Sequence, residues 1–375
     1  MKKKVLFLIH DLGPGGAEKV LVNLVNGLDK SKFDVSLRTL FDWGPNREML
    51  ASDVAYSSWI GRDIPANSYW MKLWTPEQLY KKIIPEQYDI VVSFLEGPSA
   101  RVIGGCPENQ GTKVISWIHT PVLSEKKYTE GFRSSEEADQ CYGRADMIVF
   151  VSEDVKQAFE KFHVPEKQSM ILYNIFESEK IRSLVGVEPD GLVMEPEQMN
   201  WCGVGKLLPL KGWDRMLSIQ KRLTESGFPS HFYLIGDGPQ RRELERMAAD
   251  LKISDSVTFT GYLKNPYAVI SRCMLYVCAS EREGFSTAAA EALLCGTPVC
   301  TVNVGGMTEI LGRKNDYGVV TENNDTALYN AVRSFFSDSE HRAFYKMKAA
   351  ERAELFDREK SIKAVEEMLL SLCKQ

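Results

Sequence analysis

Short apolar runs alternate with amphipathic stretches along the whole chain. VLFLI (5–9), YDIVVSFL (88–95), KVISWIH (113–119), DMIVFVS (146–152) and SMILYN (169–174) are continuous enough to predict buried parallel strands. Between them, AEKVLVNLVNGL (17–28) and PEQLYKKIIPE (76–86) carry the helical period. From Asn200 the pattern restarts with NWCGVG (200–205), SHFYLIG (230–236), SVTFTG (256–261), MLYVCA (274–279) and TPVCTV (297–302) as strands. KGWDRMLSIQKRL (211–223), GPQRRELERMAADLK (238–252) and STAAAEALLC (286–295) read as helices. Repeated strand–helix–strand units imply right-handed crossovers and a doubly wound α/β sheet, here twice.

The break between the two series is expected in VGVEPDGLVMEPEQM (185–199), which holds two prolines and four acidic residues without a clear period. That gives domains over 1–184 and 200–356. A last helix over about 357–375, after a turn signal at FDRE (356–359), can pack on either domain, including back on the first. In such a pair the expected ligand site is a cleft faced by the carboxyl ends of both sheets.

A length of 375 residues suits two cores. Residues 1–180 carry 22 Lys and Arg against 25 Asp and Glu, and the remainder 24 against 26, so neither half reads as a nucleic-acid binder. The cysteines at 106, 141, 202, 273, 278, 295, 300 and 373 form no C-x-x-C pair and no zinc spacing; scattered thiols fit a reducing cytosol. MKKKVLFLIHD imitates a signal peptide, but its apolar run, Val5 to Ile9, is too short before His10 and Asp11. No stretch approaches the roughly 20 apolar residues that span a bilayer, so a soluble or peripherally attached protein is expected.

Four strand ends carry candidate chemistry. DLGPGGAEKV (11–20) has glycines at 13, 15 and 16, which let an anion approach the backbone ahead of a helix N-terminus; its alternative is a plain strand-to-helix turn. GVGKLLPLKGW (203–213) places Lys206 and Lys211 where two ammonium groups can meet one phosphate group, or where both are simply solvated. IGDGPQ (235–240) favours a turn and helix cap over a ligand contact. In EREGFSTAAAEAL (281–293), Ser286 or Thr287 is a natural N-cap, which puts Glu283 in the loop above the helix and Glu291 about one turn inside it. A carboxylate can accept from two vicinal hydroxyls, so this arrangement suits a hydroxyl-rich ligand; the alternative makes Glu291 a charge balancing the helix dipole.

GGAE (15–18), GKLLPLKG (205–212), IGDGP (235–239), the E-x7-E of Glu283 and Glu291, and GTPVCTVNVGGMTEIL (296–311) together resemble the retaining glycosyltransferases of family 4. The resemblance covers nearly the whole chain and is strongest over 200–311. It implies the GT-B fold, two facing Rossmann-like doubly wound domains with the active site in the cleft between them. The N-terminal domain would bind the acceptor and the C-terminal domain a nucleotide sugar. Gly15 and Gly16 would meet the donor phosphates, and Lys206 and Lys211 would neutralise the diphosphate leaving group. The family usually carries Arg at the first of these two positions, so Lys206 gives up a bidentate fork. Glu283 with Gly284, Phe285, Ser286 and Thr287 would hold the transferred sugar, Glu291 the ribose hydroxyls, and His119 would stand beside the sugar.

On that resemblance the protein is expected to be a metal-independent, cofactor-free retaining hexosyltransferase. It would move a hexose or N-acetylhexosamine from a UDP-sugar to a saccharide or lipid-linked saccharide acceptor, in the biosynthesis of capsule, other cell-surface polysaccharide or glycan. The expected place is the cytoplasm, at the inner face of the membrane where the acceptor is lipid-linked. Tyr69–Trp74, with Trp70, Lys72 and Trp74, is the candidate membrane-contacting segment. The competing readings are a sugar-nucleotide-binding homologue that supports a partner transferase without catalysis, and a GT-B-fold epimerase or phosphorylase. Nothing in the sequence marks the cofactor lysine that a phosphorylase needs.

Overall fold

The computed structural model describes residues 2–61, 70–195 and 198–374. Tyr69 of the candidate membrane segment and Pro196 and Glu197 of the expected linker lie outside the described residues. The chain forms two compact units, one of residues 1–176 with 358–375 and the other of residues 177–357.

The first unit is built on strands β1 (Lys3–Ile9), β2 (Phe33–Phe41), β3 (Ala55–Ile60), β4 (Ile90–Ser93), β5 (Lys113–Ile118), β6 (Met147–Phe150) and β7 (Gln168–Ile171), in the order β3-β2-β1-β4-β5-β6-β7. All neighbours are parallel. Burial decides which strands are continuous apolar runs: β4 and β6 are buried throughout, whereas β2 alternates and the edge strand β3 is half-exposed. The helices have local start signals. Thr75 and Gln78 form a reciprocal capping box ahead of Pro76–Ile83, and Ser152 accepts from Val155 N at the head of Glu153–Glu160. The C-terminal helix Arg358–Leu372 belongs to this unit, where its buried Glu366 accepts from Asp29 N and pairs with Lys32, both at 2.8 Å.

The second unit holds β8 (Met199–Val204), β9 (Ser230–Ile235), β10 (Val257–Gly261), β11 (Leu275–Cys278), β12 (Val299–Val302) and β13 (Val319–Thr321), in the order β10-β9-β8-β11-β12-β13, again all parallel. Its core includes Trp201, stacked on Phe232 at 4.1 Å, with the indole N–H satisfied by Gln220 at 2.8 Å. The helix Ser178–Val185 already belongs here: the carbonyls of Leu184 and Val185 accept from Asn265 Nδ2 and Ser271 Oγ. The units therefore divide at 176/177, ahead of the proline-rich stretch rather than within it, because that helix spends its last carbonyls on the second unit.

Both sheets reverse direction at an internal point, between β1 and β4 in one and between β8 and β11 in the other. Loops leaving adjacent strands in opposite directions open a crevice at their carboxyl ends. The stretches after these strands are 10–15, 94–97, 205–212 and 279–286, so topology collects three of the four singled-out motifs at switch points.

Candidate functional site

In the second unit, the loop after β8 is pinned backbone to backbone. Gly205 N donates to Ile235 O, Leu207 N to Asp237 O and Gln240 N to Leu207 O, at 3.0, 3.0 and 3.2 Å. Close approach explains the glycines of IGDGP: a Cβ on Gly236, whose φ is +138°, would stand 2.0 Å from the Gly205 carbonyl oxygen. The motif is thus a packing surface for the lysine loop, in keeping with its turn reading. Gly212, at φ +66°, leaves room for the Ala279 carbonyl, and Glu281 N donates to Leu210 O at 2.8 Å, tying the β8 and β11 loops together.

That tie brings Lys211 to Glu283, with Nζ 2.7 Å from Oε1 and both side chains largely buried. Ser280 Oγ donates to the same oxygen at 2.7 Å. Lys206 is not gathered in; it is exposed, and its ammonium has no partner among the described residues, while its carbonyl accepts from Trp213 Nε1 at 3.1 Å. The two lysines accordingly differ in state, one neutralised and one open.

Ser286 caps the helix Thr287–Leu294 by accepting from Ala289 N at 3.4 Å. Glu291 is buried, and Tyr267 donates to its Oε1 at 3.0 Å. Glu291 is thus a buried, tyrosine-bonded carboxylate near the start of its helix. Phe285 is buried against Phe356, with ring centroids 6.3 Å apart. Gly306 packs so closely on this loop that a Cβ would lie 2.7 Å from Gly284 O.

In the first unit, Gly15 caps the helix Gly16–Gly27 without a side-chain bond. The Glu18 carboxylate folds back over it, 2.1 Å from where a Gly15 Cβ would stand. Asp11 shapes the loop, accepting from Gly13 N at 2.7 Å and facing His10 Nδ1 at 2.6 Å. His119 follows β5 and is buried beside Phe94, with ring centroids 4.6 Å apart. Its backbone N–H donates to Glu96 at 3.0 Å, and Thr120 Oγ1 donates to the other oxygen of the same carboxylate. Its Nε2 has no partner among the described residues, and burial pushes the imidazole down to about 3, so the ring is neutral.

The tryptophans of the candidate membrane segment are half-buried rather than free. Trp70 and Trp74 pack on each other and on Trp59, while the carbonyls of Met71 and Trp74 accept from the buried Arg101. Leu73 between them is 76% exposed.

Sequence reasoning missed Ser280, Tyr267 and Glu96. Ser280 precedes Glu283 by three residues and Glu96 follows a recognised strand, so both were within sight; Tyr267 lies 24 residues from its partner, with no local signal. Among the described residues no cluster of three or more His, Cys, Asp or Glu side chains is placed to hold a metal, and no helix is long and apolar enough to cross a membrane.

Two family profiles match the chain, one to each unit: "Glycosyltransferase Family 4" over residues 14–180 and "Glycosyl transferases group 1" over 197–352. The N-acetylgalactosamine-N,N'-diacetylbacillosaminyl-diphospho-undecaprenol 4-alpha-N-acetylgalactosaminyltransferase of Campylobacter jejuni is 26% identical over 371 residues, 96% of this chain and 97% of that one. The GDP-mannose-dependent alpha-(1-6)-phosphatidylinositol dimannoside mannosyltransferase of Mycobacterium tuberculosis is 32% identical over 165 residues, 43% of this chain and 41% of its own. Among solved structures, Anabaena HepE in complex with UDP superposes with a TM-score of 0.76 at 18% identity, covering 99% of this chain and 100% of that one, and so shares the GT-B fold. With a parallel Rossmann-like sheet in each unit and a matching profile on each, the chain belongs to the family-4-like glycosyltransferases.

Proposed function

We propose that the protein transfers a hexose or N-acetylhexosamine from a UDP-sugar to a saccharide or lipid-linked saccharide, with retention of anomeric configuration, in the assembly of a cell-surface polysaccharide or glycan. The observation that carries this reading is the group at the β8/β11 switch point. There Lys211 and Glu283 meet at 2.7 Å above a helix that holds a buried, tyrosine-bonded Glu291. The UDP complex of HepE supports the uridine nucleotide, and the undecaprenol-linked substrate in the C. jejuni relative's name supports a lipid-linked acceptor.

On this reading Glu283, with the backbone of 284–287, holds the sugar and Glu291 the ribose hydroxyls. Departure of the sugar puts negative charge on the diphosphate and positive character on the ring. Lys206, Lys211 and the N–H groups at the start of helix Thr287–Leu294 meet the first where it develops. A departing phosphate oxygen takes the acceptor proton as the acceptor attacks from the same face. Because lysines and amides answer the leaving-group charge, the reaction needs no metal ion on this reading. Leu73 and Lys72 would supply peripheral membrane contact.

The experiment is NMR of the products formed from UDP-glucose, UDP-galactose and their N-acetylamino counterparts, with a chelator present. Release of UDP with the α-anomer formed first supports the reading. Inversion, or binding without release from every donor, removes it and leaves a different mechanism or a non-catalytic sugar-nucleotide binder.

A further inference from the structure

The carboxylate of Glu283 is held through one oxygen. Oε1 accepts from Lys211 Nζ and from Ser280 Oγ, each at 2.7 Å, and Cys278 Sγ lies 3.9 Å from the same atom. Cys278 also reaches Ser280 Oγ at 3.3 Å. A hydroxyl has one proton, so a serine that donates to the carboxylate is free to accept from the thiol. Cys278 is buried, and burial keeps its thiol protonated and able to donate. The three groups form a relay, Cys278 to Ser280 to Glu283, in which each bond polarises the next. No bond to Oε2 is made by any described residue.

Ser280 is 1% exposed, too buried to touch a ligand itself. Its backbone is fixed next door, where Ala279 O accepts from Arg215, whose guanidinium is tied to Asp325 and Asn323. Lys211 has no such confinement: its stem runs past Gly205, and its ammonium, with three donors, can divide them between a carboxylate and an arriving diphosphate.

We propose that Ser280, backed by Cys278, is the positioning residue for Glu283, anchoring Oε1 so that Oε2 stays directed at a sugar hydroxyl while Lys211 passes to the diphosphate. This rests on the reading of Lys211 and Glu283 given above. When the donor binds, Lys211 gives up part of its bond to Oε1, and the serine bond remains to hold the carboxylate. Without it, Glu283 would follow the lysine or swing into solvent at the moment the sugar needs it.

The test uses the full chain with Ser280→Ala, Cys278→Ala and Cys278→Ser, measuring UDP release from the UDP-sugar that the unaltered protein turns over and the equilibrium binding of UDP alone. Ser280→Ala should lower kcat by about 10- to 100-fold, the range for losing a hydrogen bond to a charged group, with UDP affinity within about 2-fold. Cys278→Ala should cost a few-fold, and Cys278→Ser, which keeps a donor, should match the unaltered protein. Unchanged turnover in Ser280→Ala overturns the proposal, as does a parallel loss of UDP binding, which would mean general damage to the site. A second arm needs no donor: in crystal structures Glu283 should keep its place in Lys211→Met and leave it in Lys211→Met combined with Ser280→Ala. An unmoved carboxylate in the double variant overturns the relay, whereas absence of UDP release from the unaltered protein overturns only the assigned activity.

Discussion

His119 should remain neutral throughout the pH range in which the enzyme works. Its ring is buried against Phe94, and the nearby Glu96 carboxylate is occupied by the backbone N–H of His119 and the hydroxyl of Thr120, so it offers the imidazolium no ion pair. Burial therefore acts unopposed and lowers the ring's pKa from 6.5 to about 3. The sign follows from linkage: the unfolded chain takes up this proton first, so the stabilisation is fully present above about pH 6.5 and is lost as pH falls toward 3. At ~1.36 kcal/mol per pH unit, the 1.5-unit interval from about 6.5 to about 5 removes roughly 2 kcal/mol. Urea unfolding of the unaltered protein and of His119→Gln at about pH 7.5 and about pH 5 measures it, with the glutamine variant losing roughly 2 kcal/mol less on acidification. The Hε1 resonance assigned by that variant should show no inflection between about pH 5 and about pH 8. A midpoint near 6.5, or equal acid sensitivity of the two proteins, would refute the argument.

Three further outcomes concern the supports of the site. Gly236→Ala forces a Cβ to 2.0 Å from the Gly205 carbonyl at φ +138° and should cost about 3 kcal/mol from strain and overlap, whereas Gly227→Ala, at φ +79° with open space around it, should cost about 1 kcal/mol in urea titrations. Arg101→Met leaves Glu137 without the partner it holds at 2.8 Å and two carbonyls without a donor, and should lower stability by about 3–5 kcal/mol; a loss below about 1 kcal/mol would show that the pair does not pin residues 71–74. Flotation with anionic vesicles should weaken in Leu73→Ser while the fold is kept, and unchanged flotation would sink the membrane contact.

The central strands were legible because they are buried on both faces and so read as uninterrupted apolar runs, as in VLFLI and DMIVFVS. Strand β2 carries a different signal, FDVSLRTLF alternating buried with more exposed positions rather than running apolar, and AYSSWI, at a sheet edge, carries little of either. The three-residue edge strand β13 is too short to show a period. Spacing placed Glu283 above its helix and Glu291 inside it, because both positions are set by one local cap at Ser286. The pairing of Lys211 with Glu283 lay beyond local reasoning: it joins residues 72 apart and depends on β8 and β11 being neighbours. Local pattern likewise left Lys206 and Lys211 equivalent, whereas the fold of their loop exposes one and neutralises the other. The packing of the aromatic segment was hidden for a related reason, as an amphipathic pattern does not reveal that Trp59, from strand β3, packs on Trp70 and Trp74.

The most direct measurement is UDP release from a sugar nucleotide, without acceptor, by the unaltered protein and by Lys211→Ala and Glu283→Ala, each shown by circular dichroism to be folded. The unaltered protein should release UDP slowly, and both variants should fall by at least about 100-fold, in line with removal of a group acting where charge develops. Turnover in both variants at the rate of the unaltered protein would contradict a donor site at the β8/β11 switch point.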